Sequence, residues 1–162
     1  IREDSRHFKI EHRQFLLYPG VFHEATSLLK PKYHSLISGT ANEDFIKKIT
    51  LSVFCELIET IDISQENQLN ALDPFHIWSK SFPVKRFKWK PRQPLKLMIV
   101  RAYRLNQAIT IPVIPVYKGC KSWVELVENI KINDLEPALS DKTFSSVLAK
   151  IHDNLKTQTS RV

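Results

Sequence analysis

Residues 95–105 read Leu-Lys-Leu-Met-Ile-Val-Arg-Ala-Tyr-Arg-Leu, a nearly continuous apolar run broken only by Lys96, Arg101 and Arg104. A run of this kind is a strand buried inside a sheet. Prolines punctuate the chain around it. Pro83, Pro91 and Pro94 exclude a long helix across the preceding segment, because proline lacks the amide hydrogen that a helix interior uses. Residues 109–117 look extended but carry Pro112 and Pro115, so they read as an edge strand or a polyproline-like run.

A second strand is expected over residues 45–63. Ile49, Leu51, Val53, Cys55 and Leu57 alternate, and Thr50, Val53, Phe54, Ile58, Thr60 and Ile61 are β-branched or aromatic. Ile46, Ile49, Val53 and Leu57 also fit a helical face, but the strand reading accounts for more of the segment. Toward the N-terminus, Phe8, Ile10 and His12 alternate with Lys9 and Glu11, and residues 15–18 are apolar, giving two short strands before a Pro19-Gly20 turn.

Short helices are expected elsewhere. One covers residues 24–29. A helical turn opened by Pro31 has Tyr33, Leu36 and Ile37 as its apolar side and Gly39 as its stop. Ser64 caps a helix through Leu69 and Leu72. Asp73-Pro74 opens another that holds His76, Ile77 and Trp78. Residues 122–130 have no clear type. Phe144, Val147, Leu148, Ile151 and Leu155 fall at helical spacing after Ser140 or Asp141 as cap, and the polar tail after Lys156 is expected to fray. The fold class is therefore α+β: a small mixed or antiparallel curved sheet, or a partly open barrel, with short peripheral helices and a C-terminal helix.

The 162 residues suit a single domain. The chain opens on Ile1 rather than Met, and we read it as a fragment, a processed product or the ordered part of something longer. No apolar N-terminal run resembles a signal peptide, and no stretch approaches the ~20 apolar residues of a membrane span. Two cysteines, Cys55 and Cys120, are too few for a disulfide framework and suit a reducing cytoplasm.

The net charge is +7, and it is segregated. Residues 74–124 contain no Asp or Glu and carry eleven Lys and Arg, whereas the remainder is net acidic at −4. Within the acid-free stretch, Trp78, Phe82, Phe87, Trp89 and Tyr103 interleave with the cations. Nucleic-acid sites pair cations for phosphates with flat rings for bases. Such rings also anchor ordinary cores, with the charges as a solvated face. The candidate anion or nucleic-acid contacts are His76, Trp78, Arg86, Trp89, Lys90, Arg92, Arg101, Arg104 and Lys121. The signal narrows to a proline-bounded loop, Arg86–Arg92, of which Trp89-Lys90-Pro91-Arg92 is expected to be exposed.

Catalytic signals are weak. A lone His76 is more often a half-buried histidine bonded to backbone than a general base. Cys120 and Ser122 beside Gly119 have no nominated base. His12, His23 and His34 recur every eleven residues but fall on different kinds of element, so no metal site is expected. Three glycines leave no Gly-rich phosphate loop, and no cofactor is expected. Nuclease chemistry would need clustered carboxylates, and the best-defined strand has none.

Several runs match a known pattern. They are Phe15-Leu-Leu-Tyr-Pro19 followed by His23, Pro74-Phe-His-Ile-Trp78, Arg86 with Trp89-Lys-Pro91, and Pro94-Leu95. Arg101-Ala-Tyr-Arg-Leu105, Ile111-Pro112 and Tyr117-Lys-Gly-Cys-Lys-Ser-Trp123 complete the set. The chain resembles the bacterial domain-of-unknown-function family 1802 over most of its length. Gly20 and Glu24 stand where that family usually has Thr and Gln. The resemblance also implies an N-terminal strand pair ending in a Lys-Gly-Gly turn, which this chain lacks. Some members are joined to restriction-endonuclease-type domains, which implies a place near DNA restriction or defence by association only.

The leading functional expectation is a non-catalytic nucleic-acid-binding accessory module, DNA favoured over other polyanions, with a nuclease as partner or fused domain and no membrane contact. One alternative is an enzyme acting on a nucleotide or phosphorylated small molecule, which would need His76, Arg86, Arg101 and Tyr117 to converge. Another is a protein-interaction domain that docks an acidic partner on its basic face.

Overall fold

The computed structural model describes residues 10–19, 25–37, 47–89, 94–117 and 122–159. In chain order the regular elements are β1 (Gln14–Leu16), α1 (Ala25–Leu28), β2 (Lys48–Ile63), α2 (Glu66–Leu72), α3 (Ser81–Trp89), β3 (Leu95–Pro112), β4 (Leu135–Pro137) and α4 (Asp141–Thr159). Short 3-10 turns lie at Pro31–Leu36, Asp73–Phe75 and Pro115–Tyr117. The strands form one open, curved antiparallel sheet in the order β1-β2-β3-β4, so β3 is internal as its apolar run requires. The class is α+β with short helices and a C-terminal helix.

The chain groups into two compact units. The first comprises residues 1–21, 41–58 and 100–138. Its core is Ile49 and Leu51 from β2, Ile111 from β3, and Tyr117. The alternation in β2 put Ile49, Leu51, Cys55 and Leu57 inward, and all four are buried. Phe54 is buried too, with its ring against Tyr103 at 5.9 Å. The edges are short. Gln14 pairs with Glu56 and Leu16 with Phe54 on one side, and Tyr103 with Pro137 and Leu105 with Leu135 on the other. Asp134 adopts a left-handed conformation, φ 52°, to turn the chain into β4, and its carbonyl accepts from the Asn106 amide.

The second unit comprises residues 22–40, 59–99 and 139–162. Ile63, Leu69, Leu72, Ile99, Ile151 and Leu155 form its core, with Phe144, Val147 and Leu148 of α4 packed against them. Ser140 caps α4, its Oγ accepting from the Thr143 amide at 3.2 Å.

Several expectations are corrected. Ile10, Glu11 and His12 are not in a strand: β1 begins at Gln14, and no strand among the described residues pairs with them; Phe8 and Lys9 lie outside the described residues. Ser64 does not cap α2. The cap is Gln65, and the Gln68 side chain reaches back to accept from the amides of both Ser64 and Gln65 at 3.0 Å. His76, Ile77 and Trp78 are not helical. After the Asp73–Phe75 turn His76 is extended and Trp78 bridges Leu29, because that backbone pairs with the Leu28–Lys30 segment instead. Residues 86–89 are helix, not loop. Pro83 is the third residue of α3, where a helix leaves its amides unpaired anyway. Ile109 to Pro112 continue β3 rather than forming a separate run, with Pro112 at the strand's end. Leu36 is 68% exposed rather than inward, and α4 runs past Lys156 to Thr159. Gly20, Gly39, Phe45 and Ile46 lie outside the described residues.

Candidate nucleic-acid interface

The site begins with the faces of α3. Val84 and Phe87, three residues apart, pack on the core of the second unit. At 100° per residue this turns Phe82, Lys85, Arg86 and Trp89, spaced i, i+3, i+4 and i+7, to the opposite side. Lys85 is exposed and Trp89 is 51% exposed. The Arg86 guanidinium lies over the Trp89 ring at 4.8 Å, a cation–π contact. Trp78, fixed by its bridge to Leu29, stacks on Phe82 with ring centres 4.6 Å apart and planes tilted by 35°. The outer face thus carries one aromatic pair, Trp78–Phe82, and the single ring of Trp89, with the two cations Lys85 and Arg86 between them.

The charge segregation in the sequence is partly undone in space. Lys88 pairs with Glu66 at 2.9 Å, Lys96 with Asp62 at 2.6 Å, and Arg104 with Glu136 at 2.9 Å. The carboxylates come from α2, β2 and β4, outside the acid-free stretch. Lys80, Lys85 and Arg86 pair with no carboxylate among the described residues.

The predicted site residues divide between the units. His76, Trp78, Arg86 and Trp89 belong to the second, and Arg101 and Arg104 to the first. Arg101 is half-buried on β3, with its guanidinium 5.7 Å from the Tyr103 ring. Arg104 is exposed and occupied by Glu136. Lys90, Arg92 and Lys121 lie outside the described residues. Tyr117 is buried; its hydroxyl donates to Glu128 and accepts from the Val127 amide at 2.7 Å. Burial, reinforced by that bond to Glu128, raises its pKa. The histidines are dispersed: His12 meets the edge of Trp123, and His34 Nε2 lies 3.2 Å from the Leu29 carbonyl. His23 and Cys120 are outside the described residues. Cys55 is buried in β2, where burial pushes its thiol up and leaves it inert. Among the described residues no helix is long and apolar enough to cross a membrane.

His76 sits in a cluster that no sequence spacing announced. The Lys30 ammonium donates to the carbonyls of Asp73 and His76 and lies 3.3 Å from the Asp73 carboxylate. His76 Nδ1 is shielded from solvent with no partner among the described residues. Burial, and then the Lys30 charge, lower the His76 pKa. A histidine held neutral in the native state adds stability above its unfolded pKa near 6.5, which is lost as pH falls through and below that value. The urea midpoint should therefore drop between pH 7.5 and pH 5 by more in the wild type than in His76→Gln. Equal drops in the two proteins would remove His76 from the acid response.

Residues 1–150 match the family described as Domain of unknown function (DUF1802), which covers most of the chain. An α+β protein with an open antiparallel sheet and a basic-aromatic helix face is the class that the geometry defines. Within it, the chain belongs to domain-of-unknown-function family 1802. No curated protein and no solved structure matches it.

Proposed function

We propose that this chain is a non-catalytic nucleic-acid-binding module, DNA favoured, whose contact face is the outer side of α3. One observation carries the reading: Phe82, Lys85, Arg86 and Trp89 share a face turned away from the core, and its two cations have no carboxylate partner among the described residues. Unneutralised cations beside exposed rings supply phosphate contacts and base stacking together. A place beside a restriction or defence nuclease, as partner or fused domain, is the cellular setting that the family resemblance favours.

Binding of a fluorescent DNA to the full chain, followed against salt, tests the proposal. Each phosphate contact contributes about 0.9 to the slope of log K on log salt for duplex and about 0.7 for single strands. Replacing Lys85 and Arg86 together by Ala should lower the slope by roughly 1.4 to 1.8 and weaken binding at least tenfold at low salt. Arg104→Ala should change neither, because Glu136 already neutralises that side chain. Absence of binding at low salt, or unchanged binding by the double variant, overturns the proposal.

A further inference from the structure

We infer that the α3 face takes single-stranded rather than duplex nucleic acid, stacking unpaired bases on Trp89 and on the Trp78–Phe82 pair and holding the intervening phosphates on Lys85 and Arg86. The inference rests on the nucleic-acid reading above and names its substrate.

The face presents a stacking platform. Trp89 is about half exposed, and Arg86 lies over its ring rather than reaching away from it. An indole backed by a guanidinium is a platform for another flat ring. In a duplex the faces of the bases are covered by their neighbours, so a stacking platform finds partners only where bases are unpaired or splayed out.

The face also lacks side chains suited to reading a duplex. A helix that reads the major groove does so with side chains that hydrogen-bond to base edges, chiefly Arg, Lys, Asn and Gln. The outer face of α3 has no Asn or Gln, and Arg86, its plane held over the Trp89 ring, keeps its N–H edge, which like the Lys85 ammonium goes to a phosphate without reading sequence.

The spacing along α3 matches a stacked single strand. Phe82 and Trp89 are seven residues apart on one helix, a rise of about 10 Å. Successive bases stacked along a strand advance by about 3.4 Å. The two aromatic positions therefore lie about three nucleotide steps apart, with the two cations between them. Trp78 widens the first position, 37% exposed beside Ile77 at 41%.

The test compares an unstructured oligothymidylate of about 15 nucleotides with a duplex of the same length, each titrated onto the full chain at low salt. Tryptophan fluorescence and anisotropy report binding. The single strand should bind at least tenfold more tightly than the duplex and quench the tryptophan emission. Trp89→Ala should weaken the single strand roughly 10- to 100-fold with the salt slope unchanged, and Trp89→Phe should recover most of the loss. Lys85→Ala should instead lower the slope by about 0.7. A duplex bound as tightly as the single strand, with Trp89→Ala behaving like the wild type, overturns this inference and leaves the nucleic-acid reading intact. Failure of both nucleic acids to bind overturns both.

Discussion

Ile151→Asp should destabilise the protein by more than about 4 kcal/mol, a large part of the 5–15 kcal/mol typical of a domain. Ile151 is 8% exposed and sits on the apolar side of α4 with Phe144, Val147, Leu148 and Leu155. That side closes the second unit's core over Leu69 and Leu72 of α2, and the Asn154 amide bonds the Ala71 carbonyl in the last turn of α2 at 3.1 Å. A carboxylate at residue 151 would lose its hydration among aliphatic side chains. Ile151→Val should cost only about 1 kcal/mol, since it removes one methylene from the same site. Lys150→Ala, exposed on the next position, should stay within about 0.5 kcal/mol. Urea unfolding of the three variants measures this. A midpoint for Ile151→Asp close to that of Lys150→Ala would mean that α4 does not pack as described.

The same packing explains what the sequence made legible. α4 was readable because its five apolar residues keep one period over three turns. β2 was readable because alternating burial favours β-branched and aromatic residues, which Ile49 to Leu57 supply. β4 was not, because three residues, Leu135 to Pro137, carry no period of their own. They are a strand only because the exposed edge of β3 offers Arg104 and Leu105 as partners. α3 was obscured by Pro83. A proline weighs against a helix in its interior but not in its first turn, and that distinction depends on where the helix starts. The Val84–Phe87 spacing was the available signal.

The candidate site was legible in composition and not in space. Counting charges along residues 74–124 treats every lysine and arginine as available. Three of them, Lys88, Lys96 and Arg104, are neutralised by carboxylates 22 to 34 residues away in the chain. Pairing at that separation follows from topology, which a charge count does not contain. What survives is the spacing of Phe82, Lys85, Arg86 and Trp89, which becomes a face once the segment is known to be helical. The Lys30 cluster around His76 had no signal, because Lys30 and Asp73 meet only through the pairing of Leu29 with Trp78.

Tyr103→Pro should cost about 3 kcal/mol more than Tyr103→Ala. The two variants both remove the ring that packs on Phe54, so their difference isolates the backbone. Along a strand, successive amides point to opposite neighbours. The Ala102 carbonyl accepts from the Ala138 amide at 2.9 Å and the Asn106 amide donates to Asp134, so the even-numbered residues here face the β4 side. Tyr103 then points its amide toward β2, the long neighbour in the sheet. Proline at 103 deletes that donor, leaves its acceptor unpaired, and forces a φ near −65° on an extended internal strand. Pro112 is tolerated in the same strand because it is the last residue. Arg104→Ala, one position along, should cost no more than about 1 kcal/mol, since it gives up only an exposed ion pair with Glu136. Denaturant unfolding of the three variants should rank them Pro, Ala at 103, then Ala at 104. If Tyr103→Pro and Tyr103→Ala unfolded at the same midpoint, the central position of β3 would be wrong.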